Sequence, residues 1–152
     1  MNTGARAIQI RPADASDLAA IERIVHAAYS KYIARIGKPP GPMLDDYAAL
    51  IRGHNVWVAG RPVTGTIVLI AEPDHLLLDN IAVDPAAQGT GVGRALLDFA
   101  DAEARRRGYD ELRLYTHQTM TENIALYARI GWTETGRGEQ NGFERVFFKK
   151  NV

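Results

Sequence analysis

The sequence predicts one α/β domain of the α+β type, a mixed central β-sheet of about seven strands flanked by about four helices. Three observations carry this. Apolar residues recur with period two in short runs and at helical spacing in longer ones. The runs follow one another as β-α-α-β-β-β-α-β-α-β-β, which is not a uniform βαβ repeat. A chain of 152 residues, 46% of them apolar, suits a single core spanning residues 1–152.

Each element has its own signal. "AIQIRP" alternates and reads as a short strand. Asp14 is placed to cap a helix whose apolar face carries Leu18, Ile21, Val25, Ala28, Tyr29 and Tyr32. "GKPPGP", residues 37–42, is loop, and "MLDDYAALI" is a second, short helix. "NVWVAG", "TGTIVLIAE" and "LLLDNIAV" are strands, the last two joined by a turn at "EPDH" and the last ended by Pro85. A helix then runs over residues 91–107. Val92, Ala95, Leu96, Phe99 and Ala102 share a face, and Gly108 follows as the stop. "ELRLYTH" is a strand. Thr119 and Glu122 have capping-box spacing for a helix that ends at Gly131. "WTETGR", a turn at "EQNG" and "FERVFFKK" form a closing strand pair.

Charge and composition narrow the function. Eighteen basic and 18 acidic residues cancel, leaving no field to attract nucleic acid or an anionic membrane. No apolar run approaches the roughly 18 residues of a membrane span, and "MNTGARAIQIRPAD" has no signal-peptide core. A soluble, cytoplasmic protein is expected, as monomer or homodimer. Without cysteine there is no disulfide, thiolate metal site or thiol nucleophile, and no metal is expected.

"DPAAQGTGVGRALL", residues 84–97, places three alternating glycines between an apolar strand and a helix start. The first amides of a helix lack intrahelical partners, and the dipole there favours negative charge. Glycine lets a phosphate approach the backbone, so the loop reads as an anion site, best suited to a pyrophosphate. A Walker A loop would need Lys-Ser/Thr where Arg94-Ala95 stand. A Rossmann loop would need an acid ending the next strand, where Thr116-His117 stand.

Gln88-Gly89-Thr90-Gly91-Val92-Gly93 resembles the Q/R-x-x-G-x-G/A signature of the GNAT superfamily of N-acetyltransferases. "NIAVDP" before it and "NIALYARIGW" about 30 residues later are similar to that family's fourth strand and late helix. The resemblance covers essentially the whole chain and implies the GNAT fold, splayed between the fourth and fifth strands. It implies acetyl-CoA as co-substrate, with direct acetyl transfer to a small-molecule or peptide amine. Amides from Gln88 through Gly89, Thr90, Gly91, Val92 and Gly93 to Arg94 would cradle the pyrophosphate. Backbone of Ile81, Ala82 and Val83 would pair with the pantetheine arm. A CoA-binding module without turnover is the alternative of another class.

Amine acetylation needs a base, because a free amine has a pKa near ~10. It also needs an N–H donor for the oxyanion and a proton for the departing sulfur. The resemblance gives the last task to Tyr127, which also falls on an apolar stripe with Ile124 and Ile130. Asp79, on the fourth strand, and His117, ending the fifth, are the two candidate bases. By alternation Asp79 shares a face with Leu77, Ile81 and Val83. Two positions depart from the family. Tyr115 stands where enzymes acetylating ribosomal N-termini carry glutamate. Met120 stands where many members have asparagine, and Asn123, one turn later on roughly the same side of the helix, either replaces that contact to CoA or sits beside it. The acceptor site would draw on Tyr29, Tyr32, the "IGKPPGPM" loop, Asp46 and Tyr47, with "GRGEQNGFER" as a cover or dimer contact.

Overall fold

The computed structural model describes residues 8–152. Ala7, expected to open the first strand, and the rest of the N-terminal stretch through residue 7 lie outside the described residues. Seven strands form one sheet: β1 (Ile10–Pro12), β2 (Val56–Ala59), β3 (Gly65–Ala71), β4 (Leu76–Val83), β5 (Glu111–His117), β6 (Thr133–Gln140) and β7 (Phe143–Asn151). Their order is β1-β2-β3-β4-β5-β7-β6, antiparallel throughout except for the parallel β4–β5 pair. The helices are α1 (Leu18–Tyr29), α2 (Tyr32–Ile36), α3 (Tyr47–Arg52), α4 (Val92–Arg106) and α5 (Thr121–Arg129). None of the described helices is long and apolar enough to cross a membrane.

Both faces of the sheet are covered, as alternation along β2 requires. Val56 and Val58 pack with Ile21, Ile24 and Val25 of α1 and with Tyr47 and Ile51 of α3. Trp57 points the other way, into a cluster with Leu96, Ala100 and Ala104 of α4 and Tyr127 of α5. Gly65 is a packing glycine, since a Cβ there would stand 2.6 Å from Val92 and 3.0 Å from Leu96.

The feature that makes a site is in the middle of the sheet. β4 and β5 pair only from Leu76↔Leu112 to Leu78↔Leu114, then part. A bulge coincides with the parting: Val68 faces Asn80 and Leu69 faces Leu78, leaving Asp79 as the extra residue. The bulge also corrects the alternation expected for β4. Leu76 and Leu78 before it, and Ile81 and Val83 after it, all pack on the α4 side, while Ala82 packs toward α1.

Other expectations need adjustment. The first helix breaks at Ser30–Lys31 into α1 and α2, which raises the helix count to five. The second helix begins at Tyr47, not Met43, because Pro42 sits in a 3-10 turn at Gly41–Leu44 and Asp46 supplies the cap. No capping box forms at α5. The Thr119 hydroxyl is held by His117, Glu122 pairs with Arg35 of α2, and the N-cap is the buried Met120. Asp14 does cap, with Asp17 closing the box, and Arg11 holds Asp17 through two bonds of 2.8 Å.

Candidate active site

Two cavities meet where β4 and β5 part. The larger, about 610 Å³, lies between α1, α2, the start of α4 and α5. The smaller, about 40 Å³, runs through the splay to the loop at residues 37–42 and the β6–β7 hairpin. Tyr29, Ile81, Asn123 and Tyr127 line both.

The glycine loop forms one end of the larger cleft. Gly89 and Gly91 have φ of +81° and +92°, the left-handed region that side-chain-bearing residues avoid. A Cβ at Gly89 would meet nothing within 4 Å, and one at Gly91 only Ile8 at 3.9 Å. The amides divide unevenly. Those of Gln88 and Thr90 fold back onto Pro85 and Ala87 carbonyls at 3.4 and 3.3 Å. The first helix bond runs from Ala95 to Gly91 at 3.0 Å, so Gly91, Val92, Gly93 and Arg94 amides have no intrahelical partner. With Gly89, whose amide also bonds no carbonyl among the described residues, these are N–H donors of the kind an anion can use. Val92's side chain is buried in the core, so only its amide is available, and the Arg94 side chain pairs with Asp98 at 3.4 Å.

The β4 edge supplies the second wall. Asp84 N–H bonds Thr64 at 2.8 Å, which fixes the ladder phase: with Thr66↔Ala82, Ala82 turns its polar groups to β3. Ile81 and Val83 therefore turn theirs into the splay. The Tyr29 hydroxyl donates to the Ile81 carbonyl at 2.8 Å, leaving the N–H groups of Ile81 and Val83 as the donors there. Tyr29 is thus committed to positioning β4. Tyr32 lines the larger cleft and not the smaller one.

Tyr127 is buried against Trp132 and Phe148, ring centroids 5.9 and 5.8 Å away. Burial pushes its phenol up to about 12, so at neutral pH it is a proton donor. Among the sequence-proposed residues it is brought together with Asn123, Asp79 and His117 on the smaller cavity's wall.

Asp79 accepts from the Tyr115 hydroxyl at 3.1 Å. Asp45 stands behind it, off the cavity wall, and its carboxyl is raised to about 6 by burial and by the neighbouring Asp79 charge. Asn80 reaches both Asp45, at 3.4 Å, and the Tyr47 hydroxyl, at 3.2 Å. His117 is arranged differently. The Thr119 N–H donates to its Nδ1 at 3.1 Å, so the neutral ring carries its proton on Nε2 and has no lone pair to offer. Burial, then Arg145 and Lys38, hold its pKa below the ordinary value. Asp46 lines neither cavity: it is exposed, and its carboxylate accepts from Ala49 N–H at 3.1 Å to cap α3.

Asp45, Asn80 and Arg145 escaped the sequence reading. The available signal for Arg145 was "FERVFF", which puts it on the β7 face shared by Phe143 and Phe147, opposite core residues Val146 and Phe148. Asp45 had none: it is one of two adjacent aspartates before α3, distinguished only because Asp46 takes the N-cap.

A family model described as an acetyltransferase (GNAT) domain matches residues 52–134. Mycothiol acetyltransferase of Geodermatophilus obscurus is 43% identical over 53 residues, 35% of this chain and 17% of that protein. The [ribosomal protein bS18]-alanine N-acetyltransferase of Escherichia coli K12 is 43% identical over 61 residues, 40% of this chain and 41% of that protein. Each match therefore spans less than half of the curated relative. The crystal structure of the PaiA N-acetyltransferase of Thermoplasma acidophilum in complex with coenzyme A superposes with a TM-score of 0.78. At 17% identity it covers 97% of this chain and 100% of that one, and it shows the shared fold.

Proposed function

The chain belongs to the GNAT acetyltransferase family, and from that premise we propose that it transfers the acetyl group of acetyl-CoA to an amine of a small molecule or peptide. The observation that carries this reading is the junction of the two cavities at Tyr29, Ile81, Asn123 and Tyr127. A cleft with unpartnered helix-start amides at one end opens, at the other, onto a carboxylate. The residues present fit the co-substrate.

Acetyl-CoA supplies the acyl group already activated as a thioester. The amides of Gly89, Gly91, Val92, Gly93 and Arg94 would bind its pyrophosphate. The N–H groups of Ile81 and Val83 would hold the pantetheine arm, and one of them would face the carbonyl oxygen where negative charge gathers. Asp79 would accept the amine proton, directly or through a water. Asp45 stands behind it, its own carboxyl raised by burial and by the Asp79 charge. The Tyr127 hydroxyl would give its proton to the departing sulfur. The cytoplasm is the compartment this reading implies.

The test is calorimetric titration with acetyl-CoA, followed by thiol release over a panel of primary amines. Amine-dependent release with a matching acetylated product is expected. Binding without amine-dependent release would make the chain a CoA-binding module, and no binding would remove the site altogether.

A further inference from the structure

Arg145 is the unexplained charge of the smaller cavity. It lies on β7 directly across from His117 and is only 7% exposed. Its Nε is buried without a hydrogen-bond partner, and it forms no ion pair among the described residues. Arg11 also has a buried Nε without a partner, but its terminal nitrogens are held by Asp17 at 2.8 Å, whereas no carboxylate pairs with Arg145 among the described residues. A buried guanidinium with unused donors is costly unless an anion arrives to use them.

The surroundings hold the group ready. Its carbon sits 4.2 Å over the Tyr115 ring and 4.9 Å from the Phe143 ring, which fixes the plane of the fork. A Cβ on Gly41, in the loop above, would stand 3.7 Å from the nearer terminal nitrogen, so glycine there leaves that end uncovered. Lys38 ties the same loop to the Gly142 carbonyl at 2.7 Å and adds positive charge. Across the cavity the sign reverses at Asp79. Tyr115 spans the two walls, its hydroxyl on Asp79 and its ring under Arg145.

Building on the transferase reading, we infer that Arg145 is the receptor for a carboxylate on the acceptor, which is a small amino acid held with its amine at Asp79 and its carboxylate at Arg145. The small cavity between them, about 40 Å³, leaves no room for a large side chain. A planar fork facing a carboxylate gives two parallel charge-assisted bonds, an arrangement a carboxamide does not reproduce. Arg145 thus sets specificity and takes no part in proton transfer.

The experiment compares matched sets: free amino acids, their carboxamides and the corresponding decarboxylated amines. Each is titrated into the protein–CoA complex, where no transfer occurs, and assayed for kcat and KM with acetyl-CoA. Free amino acids should bind and react about 10–100-fold better than their partners, mainly through KM. Arg145→Gln should erase that preference, Arg145→Lys should restore part of it, and CoA affinity should not move, because Arg145 lines only the smaller cavity. Equal or better binding of the carboxamides overturns the inference and points to a peptide-like acceptor. So does a preference that survives in Arg145→Gln. The wild-type comparison decides even if that variant fails to fold. Absence of thiol release with every amine would count against transfer, while carboxylate-dependent binding to the CoA complex would still decide the role of Arg145.

Discussion

At the scale of single residues the proposed chemistry rests on Tyr127 and Asp79, and each can be tested without disturbing the other. Tyr127→Phe keeps the packing on Trp132 and Phe148 but deletes the donor. It should fold and bind acetyl-CoA as the parent does, with turnover lower by about 10²–10⁴; a rate within threefold of the parent would make the hydroxyl a bystander. The Asp45–Asp79 pair predicts a pH dependence. With Asp45 at about 6, kcat/KM should fall as pH drops through that value, because Asp45 then takes up a proton and no longer adds its negative charge beside the proposed base. Asp79→Asn should lower the rate and abolish that inflection, whereas His117→Gln should leave it in place, because the Nδ1 lone pair is already used. The reverse pattern would make His117 the base. Stability carries the same signature with a definite sign. Between about pH 4, the unfolded value, and about 6, the folded chain holds a proton that the unfolded chain has lost. Stability therefore falls as pH rises through that window and stays lower above it. Asp45→Asn should raise the melting temperature at pH 8 and leave it unchanged near pH 4. The gain is of order 1 kcal/mol, since water still reaches the pair. An equal shift at both pH values would mean that Asp45 acts through packing alone. The sequence pointed to Asp46 as the acid of this region, but Asp46 caps α3 and its neighbour turns inward, a distinction set by one residue of register at a helix start.

At the scale of elements, the conformation of the loop before α4 was the most legible part of the chain, because glycine is the visible trace of exposed backbone. The structure adds which glycine does what. Gly91, at φ +92°, sets the chain direction into α4, so Gly91→Ala should cost about 1–3 kcal/mol in unfolding. Gly93 has ordinary helical geometry, and a Cβ there comes no closer than 3.6 Å, to Val83. Gly93→Val should therefore fold with unchanged circular dichroism while CoA affinity falls at least about tenfold, by crowding the cradle. Undiminished affinity would move the pyrophosphate elsewhere. The β4 bulge was illegible: "LLLDNIAV" reads as a regular strand, and nothing local marks Asp79 as the residue that slips. Its cause is non-local, the fit of β4 to β3 on one side and its release from β5 on the other.

Across the whole molecule, topology was readable because each element buries a face in step with its own period, and the glycine and proline stops fall between them. The acceptor pocket was not. The smaller cavity, the proposed acceptor pocket, is assembled from β4, β5, β7 and the loop after α2, so Asp79, Tyr115 and Arg145 become neighbours only after the sheet forms. Periodicity says which face each residue takes but not which distant residues it meets. The central claim is that the two cavities form one path for acetyl transfer. A single-turnover experiment tests it most directly. Protein preloaded with isotopically labelled acetyl-CoA is mixed with amine and quenched at intervals, and free CoA and acetylated amine are counted together. Transfer through the junction predicts that both appear at the same rate, in equal amounts, and only when amine is present. Labelled acetyl-CoA that stays bound and intact with every amine offered, or CoA released without acetylated amine, would contradict it.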